Sequence, residues 1–225
     1  MSANRKLSVL LFDGKSYNQV NTINIVGGPH DCDWSRWAMV YGQETFRLYC
    51  FKQDTNDTIY QFGYNPNTQH YEFGYNSEEV LKIIGVPATA NTFTFSMLYD
   101  ESHYRLYFLD INKRDLLHQF VFDGANYVIE KSNPQIRLEG MPKNIDASRM
   151  SMLYSKGQNQ HGYHVYGFEQ GKRKFLVQGY YDTNSNTYKR VNDVEININL
   201  MTSDISSFSM LNDGEFWCYF LDWMD

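Results

Sequence analysis

The residues best placed to do chemistry are short oxygen-bearing side chains that recur along the chain. Asp33, Asn91, Asp146 and Asp204 each stand a few residues ahead of a similar run with a methionine at its centre. Three carboxylates and one amide are hard oxygen ligands, a donor set suited to a hard cation such as Ca2+. A fold that gathers them at the mouth of a central channel would make them an ion site. The competing role is local, because Asp and Asn also cap turns by accepting bonds from nearby amides. A second recurrent set is acidic: Glu44, Asp100 with Glu101, and Asp213 with Glu215 follow the runs, and the third copy has Lys156 to Gln160 instead. Solvated hairpin tips account for these residues. So does an acidic rim that steers a basic partner.

Other constellations are poorer. His161 and His164 are spaced for opposite faces of a strand, and His30 beside Asp31 and Cys32 lacks a second half, so no zinc signature stands out. Cys50 and Cys218 occupy similar places in aromatic runs and read as buried thiols. No nucleophile elbow, paired metal motif or glycine-rich phosphate loop occurs. The chain therefore reads as non-catalytic, with no metal or cofactor expected beyond the channel ion.

The elements that position these residues follow from an internal repeat. Trp37-Ala38-Met39-Val40, Phe95-Ser96-Met97-Leu98, Met150-Ser151-Met152-Leu153 and Phe208-Ser209-Met210-Leu211 share one pattern, and their central methionines lie 58, 55 and 58 residues apart. A second strand follows each, at Phe46–Tyr49, Tyr104–Tyr107, Tyr163–Tyr166 and Phe216–Tyr219. Third strands begin at Tyr60, His118 and Val177, and fourth strands centre on Tyr71, Tyr127 and Tyr188. The last copy stops after its second strand. Its missing half stands at the other end of the chain, where Phe12-Asp13-Gly14 and Tyr17 match Phe122-Asp123-Gly124 and Tyr127 at the same spacing.

The expected fold is thus all-β: a single four-bladed β-propeller whose N-terminal strands complete the last blade. The blades span about 33–75, 91–131, 146–192, and 204–225 joined by 5–20. The small residue of each run (Ala38, Ser96, Ser151, Ser209) is expected where neighbouring blades crowd near the axis. An orthogonal β-sandwich explains a fourfold pattern poorly and the split copy not at all. One helix is expected, over Ser77 to Ile84, with Ser77 as N-cap, Glu78 and Glu79 in the first turn and Gly85 after the end.

In architecture these repeats resemble the hemopexin-type four-bladed propellers. The points of resemblance are units of similar length, long connectors with room for a helical turn, an acidic residue leading into the first strand (Asn91 in the second unit), and an Asp-Ala pair at Asp146-Ala147. The resemblance implies a fold and no particular ligand.

Composition bounds the function. The formal net charge is −6, which disfavours phosphate backbones and suits a basic partner. The N-terminal apolar patch is interrupted by Asp13 and is too short for an export signal or a membrane span, so a cytoplasmic protein with reduced thiols is expected. These features point to a protein-binding module that binds and inhibits a basic partner, as an immunity protein does a toxin enzyme. The alternative is a lectin-like or hemopexin-like propeller that stacks a sugar or haem on Trp34 or Trp223.

Overall fold

Aromatic and β-branched residues dominate the repeats, and such side chains suit a pleated, half-buried surface. In the computed structural model, which describes residues 5–141, 145–156, 162–169, 175–191, 196–199 and 208–222, every regular element is a strand. The chain opens with β1 (Arg5–Phe12) and β2 (Ser16–Val26). A first unit follows: β3 (Cys32–Gly42), β4 (Thr45–Lys52), β5 (Thr58–Asn65), β6 (His70–Phe73) and β7 (Val80–Ile84). The second is β8 (Ala90–Tyr99), β9 (Tyr104–Asp110), β10 (Leu116–Phe122), β11 (Asn126–Ile129) and β12 (Gln135–Glu139). The third is β13 (Ile145–Ser155), β14 (Gly162–Glu169), β15 (Phe175–Asp182), β16 (Thr187–Arg190) and β17 (Ile196–Asn199). The chain closes with β18 (Phe208–Asn212) and β19 (Phe216–Asp222).

Within each unit the strands pair antiparallel in chain order. The N-terminal strands complete the last unit, because β1 pairs with β19 on one side and with β2 on the other. The sequence match between the two ends extends to local geometry. Asp13 and Asp123 each accept the backbone N–H groups two and three residues on, and Gly14 and Gly124 take φ of 96° and 103°. That backbone region favours glycine.

The helix expected over Ser77–Ile84 is absent. Val80–Ile84 is strand β7, in which Leu81 and Ile83 are buried while Val80, Lys82 and Ile84 face outward. That is a period of two, and the β-branched residues at 80, 83 and 84 fit it. The connectors are therefore not irregular loops. β7 lies along the free half of β5, β12 along β10 and β17 along β15.

These extra strands join the units to one another. β7 runs parallel to β11, β12 to β16 and β17 to β2, while the far end of β2 runs parallel to β6. The four links follow one another around the molecule, giving a single sheet nearly closed into a barrel-like shape. The apolar core is correspondingly divided into four clusters, each built from two neighbouring units.

The innermost strands meet without forming a ladder, and a serine closes the gap. Ser209 Oγ accepts the Met39 amide at 2.9 Å, Ser96 Oγ that of Met152 at 2.7 Å and Ser151 Oγ that of Met210 at 2.8 Å. All three serines are buried. At the fourth junction Ala38 holds the serine's place and offers no hydroxyl to Met97. Farther out, each second-strand tyrosine meets a tyrosine of the next unit's fourth strand. Tyr49 bonds to Tyr127 and Tyr107 to Tyr188, while Tyr166 lies near Tyr17 and Tyr219 near Tyr71.

Ser151→Ala should therefore lower stability by roughly 1–3 kcal/mol in urea unfolding, since the Met210 N–H stays buried without its acceptor. Ala38→Ser, which adds the missing hydroxyl, should leave the protein as stable or more stable. A loss with Ala38→Ser and none with Ser151→Ala would overturn this account of the junctions.

Candidate functional site

The channel-mouth candidates are engaged locally wherever they are described. Asp33 Oδ1 accepts Ser35 N at 3.0 Å and Ser35 Oγ at 2.5 Å, and its Oδ2 accepts Arg36 Nε at 2.7 Å. Asn91 Oδ1 accepts Phe93 N at 3.2 Å. Both sit where the first strand of a unit leaves register with the second, so the side chain caps the irregular segment. Asp146 lies in the equivalent irregular segment of β13, with its side chain outside the described residues, and Asp204 lies outside them altogether. No group of three or more His, Cys, Asp or Glu is placed for a metal ion among the described residues.

Arg36, which sequence reasoning passed over, is the buried centre of this region. It bonds Asp33, Asn56, Thr92 and the carbonyls of Lys52 and Thr55, and its guanidinium lies 4.6 Å from the Phe51 ring centre and 5.5 Å from that of Phe93. It ties the first unit to the second.

Of the acidic tip residues, Glu44, Glu101, Asp213 and Glu215 are exposed. Asp100 is turned inward, at 7% exposure, and forms an ion pair with Arg105 at 2.5 Å. Burial alone would raise its carboxyl, but bonds from Arg105, Ser102 and the His103 amide outweigh that and hold it at about 2. Glu101 pairs with Lys156 of the third unit.

One buried cluster has the residue types of a hydrolase. His118 Nε2 lies 2.9 Å from Asp110 Oδ2 and 3.3 Å from Thr89 Oγ1. Both contacts fall on the same ring nitrogen, and Nδ1 faces Gln135. A proton relay needs the acid and the nucleophile on opposite nitrogens. The cluster instead fastens the turn between β9 and β10. The three cysteines are free and buried, with Cys50 beside Cys32 and remote from Cys218. Trp34 packs on Phe62 and Arg5, and Trp223 is outside the described residues.

The feature that varies between units is a position at each junction, next to the tyrosine pair. Its second-strand residue is Arg47, Arg105, His164 or Trp217, and its third-strand residue is Gln61, Gln119, Gln178 or Val9. At the first junction Arg47 lies 5.0 Å from the ring centre of Tyr104 in the next unit. At the second, Arg105 pairs with Asp100 and with Glu130 at 3.1 Å, leaving a cavity of about 150 Å3. At the third, His164 meets Gln178 at 3.1 Å. At the junction of the last unit with the first, a larger open groove remains.

That open groove has a volume of about 370 Å3 and is walled by Val9, Ile23, Phe46, Tyr64 and Trp217, among others. Valine in place of glutamine removes a polar side chain from its floor. The register between β1 and β2 shifts after Val9, which puts Val20 at the rim with 55% exposure. Asp213 stands at the lip, where its Oδ1 accepts Trp217 Nε1 at 2.8 Å. Indole brings one donor and no charge, so Asp213 lacks the neutralising partner that Arg105 gives Asp100. Nothing in the sequence singled out this groove. The only signals were the Trp for Arg and Val for Gln replacements in the repeat.

No family model matches the chain, and no curated protein matches it either. No helix among the described residues is long and apolar enough to cross a membrane.

The depressed Asp100 carboxyl makes stability depend on pH. Its contribution, about 2 kcal/mol, is present above the ordinary carboxylate range and is lost as pH falls from about 4 to about 2. Asp100→Asn should be less stable than the parent at pH 7 by urea unfolding, with the difference shrinking toward about pH 2. A constant difference across that window would refute the assignment.

Proposed function

We propose that the chain is a non-catalytic binding protein: a single four-bladed propeller, closed by its N-terminal strands, that grips and blocks a basic protein partner on its hairpin end. The propeller reading is supported by the order of the junctions, in which each unit contacts the next and the last returns to the first. The observation that carries the binding reading is the open groove with an uncompensated carboxylate at its lip. Glu215 is exposed on the same hairpin, and Glu44 is exposed on the tip of the adjoining first unit. An acidic lip speeds encounter with a basic partner, and a rigid β scaffold keeps the ordering cost of binding small.

An aromatic-walled groove of this volume also falls in the range of small-molecule sites, and this favours the sugar or haem reading as the alternative. Affinity capture from native cell extract separates the two. A stoichiometric basic protein retained at low salt and released at raised salt supports the binding reading, and that protein's activity should fall in the complex. Charge reversal at Glu44 and Glu215 should slow the association. A clean capture with no partner, together with a thermal shift from a sugar or haem, would replace it with the small-ligand reading.

A further inference from the structure

The four junctions repeat one arrangement, and in two of them the chain itself supplies an arginine. In the first, Arg47 lies against an aromatic ring of the next unit. In the second, Arg105 lays its guanidinium on the hairpin carboxylate of Asp100. The last groove keeps both recognition elements and lacks the arginine. Its walls include Phe46, Tyr64 and Trp217, and Asp213, at the hairpin position that Asp100 holds in the second, puts its carboxylate at the lip. Trp217 donates to Asp213 as Arg105 does to Asp100, but with a neutral group. Among the described residues Asp213 Oδ1 accepts Trp217 and the Glu215 amide, and no protein donor reaches Oδ2.

We propose that this groove, between the last and first units, is the seat of an arginine side chain presented by the partner. The inference deepens the binding reading above and rests on it for the partner. Guanidinium groups stack on aromatic faces and bond carboxylates through paired donors, and a single point charge does neither as well. The acidic lip and the aromatic walls are complementary to that group, whereas a carboxylate or phosphate would be repelled by Asp213. The apolar residues Val9, Val20 and Ile23 provide the surface along which an arginine stem packs.

The test is an NMR titration of the full chain with a capped peptide, Gly-Ser-Arg-Ser-Gly, and with its citrulline counterpart, which keeps the shape and loses the charge. The arginine peptide should shift the Trp217 indole N–H resonance saturably and bind at least about tenfold more tightly than the citrulline peptide. Asp213→Asn should weaken the arginine peptide by at least about tenfold. Trp217→Arg, which installs the side chain found at Arg105, should abolish binding. Val9→Gln, which gives this groove the glutamine of the other three junctions, should weaken binding, with melting temperature checking that each variant is folded. Equal binding of the two peptides, an unmoved Trp217 resonance, or full binding by Asp213→Asn would overturn the proposal. If Trp217→Arg still captures the basic partner from extract, the partner reading stands and the groove assignment fails. If the peptide binds as described and no partner is captured, the groove assignment stands and the partner reading fails.

Discussion

A four-stranded antiparallel unit ends in two edges of unpaired backbone groups, and this molecule depends on how both edges are closed. At the inner edge a direct ladder is replaced by a side chain: a buried serine hydroxyl accepts the methionine amide of the neighbouring strand at three of four junctions. An amide buried there without an acceptor would cost more than an ordinary hydrogen bond returns. At the outer edge, the connector after the fourth strand of three units turns back along the third strand and pairs with the next unit, and in the last unit β2 itself does so. The same short strand thus extends its own unit and fastens the neighbour.

Closing the edges in this way puts the apolar core between units rather than inside them. Each cluster draws on two units, and each tyrosine pair spans a junction. The spaces beside two of these pairs, Tyr107 with Tyr188 and Tyr219 with Tyr71, are a by-product of that arrangement. Because their floors are held by tyrosines that the fold requires, the residues above them are free to differ. Arg47, Arg105, His164 and Trp217 hold one repeated position.

Much of this was legible beforehand because repeats carry their own alignment. The strands around Tyr71, Tyr127 and Tyr188, and the completion of the last unit by residues near Asp13, follow from matched spacing that tertiary context has little power to alter. The crowded position of Ala38, Ser96, Ser151 and Ser209 was also visible, though not its hydrogen bond. The helix expected over Ser77–Ile84 rests on Ser, two Glu and a following Gly, which are sound capping signals. Local capping is worth about 1 kcal/mol, and the pairing with β5 and β11 outweighs it. Asp100 was read as a tip residue with its neighbours. Its inward turn depends on Arg105 and on the Tyr163 hydroxyl of the next unit, 2.9 Å away, a contact that spacing cannot reveal.

The amino-acid sequence by itself determined the all-β class, the fourfold repeat and the joining of the two ends in one unit. All three rest on short-range patterns: strand-forming residues, turn residues and constant intervals. Only the tertiary structure decided which carboxylates are neutralised and how much room the last junction leaves. Those outcomes depend on side chains that lie far apart in the chain and meet across a junction. Asp100 and Asp213 are alike in sequence and differ because one faces an arginine and the other an indole.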